Sequence, residues 1–309
     1  MDTDPNIKRA AAQVLCVHRG ELRSPQVKSF FDEPTFTASY VVYDPIAKVG
    51  AVIDSVLDFD QAAGRTSTGS ADKIVAFVRE HGLTIAWLLE THAHADHLSA
   101  APYLQEKLGG QLAIGADIVT VQKVFGEIFN EGTRFARDGS QFDRLFADGD
   151  TLMIGGIPLL ALHVPGHTPA DMAYVIGDAI FTGDTMFMPD YGTARADFPG
   201  GDARNLYRAI RRLMKLPDET RVFLCHDYKA SNRDTFAWET TMGAERTGNV
   251  HVHEGVSEDA FVAMRMKRDA TLGMPKLILP SIQVNMRGGQ LPEPEGNGQR
   301  YLKLPLNQL

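Results

Sequence analysis

Thr91-His92-Ala93-His94-Ala95-Asp96-His97 sets three imidazoles and a carboxylate within six residues, directly after the apolar run 83–89. An apolar run of that length reads as a buried strand, so the strand ends by delivering four metal-competent side chains to one place. With the backbone extended, His92 and His94 share a face. Asp96 and His97 fall where the chain is expected to turn into a helix and to face a second, adjacent position. A helix-capping role would explain Asp96 alone. Metal binding accounts for all four residues.

Three further runs end in the same way. Residues 157–164 lead into Pro165-Gly166-His167-Thr168, residues 179–182 into Gly183-Asp184, and residues 222–224 into Cys225-His226-Asp227-Tyr228. In a sheet of adjacent strands such positions converge along one edge, where a rigid scaffold carries the functional loops. Gly166 and Gly183 suit tight turns that bring backbone close to a metal. Singly, His167 or Asp184 would be a turn or cap residue; jointly with the first motif they read as ligands. His163 reads as a core or supporting histidine. His251 and His253, with Glu254 as their one nearby carboxylate, fall outside the site. Cys225 lacks the donor-rich loop of a catalytic thiolate.

The chain has 309 residues, 44% of them hydrophobic, and a formal charge of -8. That is enough apolar material for a large core, and the charge argues against nucleic acid or an anionic membrane as partner. Cys16 and Cys225 cannot build a disulfide framework, residues 1–24 show no apolar leader, and no run approaches the roughly 20 apolar residues of a membrane helix. A cytoplasmic protein is the expectation.

The pattern predicts a polar N-terminal extension over 1–24 with a short helix near 10–16, and an antiparallel meander at 27–31, 38–43 and 50–54. Helices follow from Ser70 to Gly82, over 99–108 with Pro102 in the first turn, and over 118–129. Residues 130–147 read as a loop at the rim of the site, Gly155-Gly156 and Gly177-Asp178 as hairpin turns, and 202–216 as an amphipathic helix. Ser257 starts another helix with Phe261, Met264 and Leu272 on one stripe. Five prolines over 274–309 predict an extended tail. The organisation is thus an extension (1–24), a catalytic domain (25–250), and a C-terminal helix with a Pro-rich tail packed upon it (251–309).

In this order, T-H-A-H-A-D-H, G-H-T, T-G-D and C-H-D resemble the metallo-β-lactamase superfamily over about residues 27–246. The resemblance implies an α/β fold, the αββα sandwich of two mixed sheets flanked by helices, as a single domain with a C-terminal extension. Ala95 before Asp-His, Pro165-Gly166-His167-Thr168-Pro169, Phe181-Thr182-Gly183-Asp184 and His226-Asp227-Tyr228 are most similar to the persulfide dioxygenases. That family implies one Fe(II) per chain on His92, His167 and Asp184. His94, Asp96, His97 and His226 would surround the iron or line an unfilled second-metal position. Two imidazoles and one carboxylate with open positions suit non-haem iron oxygen chemistry.

The family further implies glutathione as the thiol carrier, with Tyr228, Arg246 and Arg195 as contacts, since a guanidinium grips a carboxylate in bidentate fashion. The implied reaction oxidises glutathione persulfide with O2 and water to sulfite and glutathione, and the family-level assembly is a homodimer. The alternative is a dinuclear zinc thioester hydrolase resembling glyoxalase II, in which all seven motif residues bind metal. The small Ala95 and the lack of that enzyme's helical glutathione domain weigh against it. Ala196, which interrupts the family's Arg-Thr-Asp pattern, and the chain beyond Val250 mark a longer bacterial branch.

Overall fold

Apolar runs and period-two alternation build the strands, and the computed structural model, which describes residues 4–308, stacks them into two sheets. In chain order the elements are α1 (Pro5–His18), β1 (Gln26–Asp32), β2 (Thr37–Asp44), β3 (Val49–Ile53), β4 (Val56–Asp60), β5 (Arg65–Ser67), α2 (Gly69–Glu80), β6 (Thr84–Leu89), β7 (Leu98–Ser99), α3 (Ala101–Leu108), β8 (Gln111–Gly115) and α4 (Ile118–Ile128). They continue with β9 (Arg144–Phe146), β10 (Thr151–Ile154), β11 (Ile157–His163), β12 (Met172–Ile176), β13 (Ala179–Phe181), α5 (Ala203–Leu213), β14 (Arg221–Phe223), β15 (Glu239–Thr241), α6 (Met242–Gly248), α7 (Glu258–Asp269) and α8 (Ile278–Asn285).

One mixed sheet has the order β1-β2-β3-β6-β8-β9, the other β10-β11-β12-β13-β14-β15, and a small ribbon joins β5, β4 and β7. Between the sheets lie Val42, Ile53, Leu89, Phe146, Leu159, Tyr174 and Phe181, all at most 1% exposed. Each such side chain contributes about 1.5–3 kcal/mol on burial. The outer face of the first sheet packs Ile74, Leu104, Val121 and Ile282 from α2, α3, α4 and α8. The outer face of the second packs Val14, Leu206 and Phe261 from α1, α5 and α7. The result is the αββα sandwich, and among the described residues no helix is long and apolar enough to cross a membrane.

Four local expectations need correction. Helix α1 is longer than 10–16 because Asp4 accepts from the amides of Asn6 and Ile7, and Ile7, Ala10 and Val14 then bury one face against the second sheet. The chain does not enter a helix directly after His97. β7 intervenes, pairing with β4, and Ser99 Oγ then accepts from Ala101 N at 3.1 Å to start α3. Residues 130–147 pack against α4 and α8 and contain β9, rather than lining the site. The Pro-rich tail contains α8. Pro280 is its third residue, where a missing N–H leaves no helix bond unmade, so proline concealed the helix without preventing it.

Glu245 of α6 is fully buried, with Asn249 Nδ2 donating to Oε2 at 2.7 Å and Oε1 left without a partner. Burial, opposed by the Asn249 hydrogen bond and reinforced by Asp190, pushes its carboxyl up to about 8. The folded state therefore holds a proton that the unfolded chain releases above its ordinary value of 4.5. Stability should fall as pH rises from 4.5 to about 8, with a slope of about 1.4 kcal/mol per pH unit where the two states differ by a whole proton. Glu245→Gln should remove that slope and exceed the native protein in stability at pH 8.5, as read by urea unfolding across the window. Parallel curves for the two proteins would refute the assignment.

Candidate metal centre

β3 and β6 run parallel, as do β13 and β14, and two antiparallel pairings leave β11 pointing with β13. Just past these strand ends come Asp54, the 90–97 loop, His167, Asp184 and His226, so topology alone gathers them at one edge. His92, His167 and Asp184 each place one ligand atom within 4.8 Å of the others, and so do His94, Asp96 and His97. His167 Nε2 and His92 Nε2 lie 3.5 and 3.9 Å from Asp184 Oδ2, and His226 Nε2 lies 3.3 Å from Asp184 Oδ1 and 3.1 Å from Asp96 Oδ2. Donor atoms bound to a common ion at about 2.1 Å stand roughly 3.0–3.5 Å apart.

The hydrogen bonds behind the rings say which nitrogen faces inward. Nδ1 of His167 donates to Arg195 O at 2.8 Å, that of His226 to Phe36 O at 3.1 Å, and that of His97 to Leu98 O at 3.2 Å. His92 Nδ1 donates to Thr91 Oγ1 at 3.0 Å, and that hydroxyl donates to Asp54 Oδ2 at 2.9 Å. Each bond fixes the tautomer and turns the Nε2 lone pair toward the cluster. His94 is reversed: its Nε2 faces Asp54 Oδ1 at 3.0 Å and Glu90 Oε2 at 3.5 Å, leaving Nδ1 inward. Nε2 of His92, His97 and His226, Nδ1 of His94, Asp96 Oδ2 and Asp184 Oδ1 are all buried without a hydrogen-bond partner. So many converging orphans have no account in a metal-free core, and the donor set fits one or two divalent ions.

Charge follows the same geometry. Burial, added to by the surrounding imidazoles, holds His92 well below its ordinary value, and burial with His94 brings His97 to about 3. Both stay neutral, as ligands must. For His94, burial works downward, but Asp54 outweighs it and holds the ring well above its ordinary value. His226 is likewise raised, by Asp184 and Asp96 against burial. Asp54 and Glu90 were not singled out in the sequence, although both obey its rule of a ligand-type residue at a strand end.

Two positions hold the loop in shape. A Cβ on Gly183, whose φ is 51°, would meet Thr91 Oγ1 at 2.5 Å, so glycine there preserves the hydroxyl that orients His92. From α8, Asn285 Nδ2 donates to the carbonyls of His94 and His97 at 2.8 and 2.7 Å, while its Oδ1 accepts from Ser99 N at 2.8 Å. One amide thus clamps three backbone groups of the metal loop from 186 residues or more away in sequence. No local signal marks that asparagine.

A cavity of about 800 Å³ opens onto the centre, with Ala95, Asp96, His167 and Asp184 in its lining and Phe36, Phe187, Tyr191, Phe198 and Tyr228 among its walls. Of the expected glutathione contacts, Tyr228 and Arg195 line it. Arg195 is already occupied, chelating Asp197 at 2.6 and 2.8 Å and donating to Gly273 O at 2.7 Å. Arg246 does not reach the cavity, and its expected role is corrected. Its guanidinium donates to the carbonyls of Met214 and Leu216 behind α5 and pairs with Asp218, so its charge is consumed in closing a helix end. His163 donates to Pro169 O at 2.8 Å, and His251 accepts from Thr193 N at 3.0 Å; neither joins the cluster.

With its sandwich, strand-end ligands and residues 32–226 matching the family, the chain belongs to the metallo-beta-lactamase superfamily. A "probable metallo-hydrolase" of Burkholderia pseudomallei (strain 1710b) is 56% identical over 92% of this chain and 99% of its own length. "Glyoxylase B2" of Dictyostelium discoideum is 45% identical over 92% of this chain and 98% of its own. "Persulfide dioxygenase ETHE1, mitochondrial" of Homo sapiens is 26% identical over 92% of this chain and 96% of its own. The solved ETHE1 of Myxococcus xanthus matches with a TM-score of 0.67 at 28% identity, over 86% of this chain and 100% of that one. The ETHE1 similarities support a persulfide dioxygenase-like branch.

Removing the Asn285 amide tests its role in the centre. Asn285→Ala should weaken metal binding about 10–100-fold, as loss of an outer partner of a metal site does, and should lower metal-free stability by about 3 kcal/mol through buried groups left unpaired. Ser281→Ala, one helical turn away and removing a hydroxyl that has no partner, should change neither quantity for the worse. Competition titration with a chelator and urea unfolding read the two effects. Unchanged metal affinity in Asn285→Ala would show that the clamp is structural only.

Proposed function

We propose that the chain is a non-haem Fe(II) dioxygenase that oxidises glutathione persulfide with O2 and water to sulfite and glutathione. The observation that carries this reading is where the centre is open. His167 and Asp184 face the cavity together with Asp96, whereas His92, His94, His97 and His226 are at most 1% exposed and sit behind them. His92, His167 and Asp184 gather two histidines and one carboxylate at one spot, and because His167 and Asp184 border a roomy aromatic cleft, this set suits an ion that keeps positions for substrate and O2 together. Bound iron supplies the redox chemistry, and the chain supplies the rest. Arg195 O and Thr91 Oγ1 hold the His167 and His92 rings in register. Phe36, Phe187, Phe198 and Tyr228 give a low-polarity wall suited to a soft sulfur. Ala95, by its size, leaves the floor open.

A second reading, a dinuclear zinc thioester hydrolase, is favoured by one geometric fact and one relative. Asp184 turns Oδ2 toward His92 and His167 and Oδ1 toward His226, as a carboxylate bridging two ions would. The Dictyostelium relative bears a glyoxylase name.

Loading the protein anaerobically with iron or with zinc separates them. The iron form should take up O2 with glutathione persulfide and release one sulfite per O2, and the zinc form should not; His167→Ala should lose both iron retention and uptake. Absence of uptake, with hydrolysis of S-lactoylglutathione by the zinc form, would replace the dioxygenase by the hydrolase.

A further inference from the structure

The cavity above the metal centre is lined on one side by the end of α7 and the segment leading to α8, through Arg265, Arg268, Leu272 and Lys276. Four basic side chains line the cavity, and two of them are committed. Arg195 is held by Asp197, and Arg265, at 1% exposure, by Asp269 at 2.6 Å and by Thr193 O at 3.1 Å. Arg268 and Lys276 are exposed and, among the described residues, have no carboxylate partner. In a chain of net charge -8, two unpaired cations facing one cleft are a local exception. The acids lining that cleft are Asp96 and Asp184 of the centre and Asp60 at the end of β4, whose Oδ1 accepts from the amides of Ala62 and Ala63.

A ladder of rings links Arg268 to His226 of the centre. The Arg268 guanidinium lies 5.9 Å from the Tyr191 ring, Tyr191 is 5.3 Å from Tyr228, and Tyr228 stacks on His226 at 5.8 Å. Cations and metal ligands thus line one cavity, with Arg268 and Lys276 on the side formed by the 265–277 segment. The segment is also fixed relative to the centre. Gly273 O accepts from the side chain of Arg195, whose own carbonyl orients His167, and Asp269 Oδ2 accepts from Ala196 N at 3.0 Å.

We propose that Arg268 and Lys276 form a carboxylate-binding subsite that selects a peptide thiol with two carboxylates, the glutathione class, over small uncharged thiols. This rests on the proposed function for the chemistry at the sulfur, but the subsite binds the peptide whichever reaction follows. Arg268 presents a planar fork within cation–π range of the Tyr191 ring, and Lys276 a mobile point charge, an arrangement that takes two carboxylates without requiring their exact spacing. The specificity is thus carried by a segment beyond residue 226, where the family match ends.

The test separates binding from turnover. Calorimetry on the full-length, iron-loaded, anaerobic protein uses glutathione and its diethyl ester, in the native chain and in Arg268→Gln, Lys276→Gln and the double variant. Each single change should weaken glutathione about tenfold, as loss of a charge-assisted contact does. Ester binding should stay equal in all four proteins. With persulfides of both thiols, KM should rise for glutathione in the variants while kcat stays within about twofold. Glutathione binding that is lost in the double variant, in a protein that never consumes O2, would support the subsite and sink the dioxygenase. O2 uptake with the same glutathione affinity in all four proteins would sink the subsite and leave the dioxygenase standing. A native chain that binds the ester as tightly as glutathione would also overturn the proposal.

Discussion

The structure depends on turning the lone pairs of buried imidazoles toward one spot. An imidazole has two nitrogens, and only the one whose neighbour donates its proton elsewhere is a ligand. Here Arg195 O, Phe36 O, Leu98 O and the Thr91 hydroxyl take those protons. Three of the acceptors are backbone carbonyls, in the turn before β2, at the start of β7 and in the segment after β13, so the fold of the chain itself sets the tautomers. The unsatisfied edge is costly to keep dry. Cores of large apolar side chains between the sheets and beneath the helices oppose that cost.

That arrangement explains what could be read from the sequence. A strand is a local pattern, and a ligand at its end is a local event, so His92, His94, Asp96, His97, His167, Asp184 and His226 were visible as apolar runs that stop at a ligand. The same rule would have found Asp54, which follows β3, and Glu90, which follows β6. Arg246 was misplaced because a surface arginine carries no local sign of what it faces; three neighbouring oxygens, not a ligand, take its donors. Asn285 could not be found at all. Its importance lies entirely in contacts 186 or more residues away in sequence, and its helix hides behind Pro280.

Segments that looked peripheral are therefore structural. α1 is tied by Asp4 to Arg212 of α5 at 2.6 Å, and Arg212 also holds Asp148 and His163 O. α8 buries Ile278, Ile282 and Met286 against the first sheet and extends Asn285 under the metal loop. Composition misleads here because proline and polar residues report exposure only on average. One proline in a first turn and one buried amide with three good partners both satisfy the physics of a core.

The centre and the cleft above it behave as one mechanical unit because Arg195 belongs to both. Its carbonyl fixes the ring of His167, and its guanidinium holds Asp197 and the carbonyl of Gly273, stacked 4.8 Å above Phe198. A displacement of the 265–277 segment would pull on the same residue whose backbone orients a ligand. Ligand geometry tolerates little movement, since a histidine turned by its partner no longer offers its lone pair along the metal bond. Buried Arg265 stiffens the link by joining Asp269 to Thr193 O, two residues before Arg195. Rigidity at the segment's root, with free cations at its surface, lets charge recognition vary without disturbing the metal. A fold that must keep its ligands still can change specificity only at such a rim.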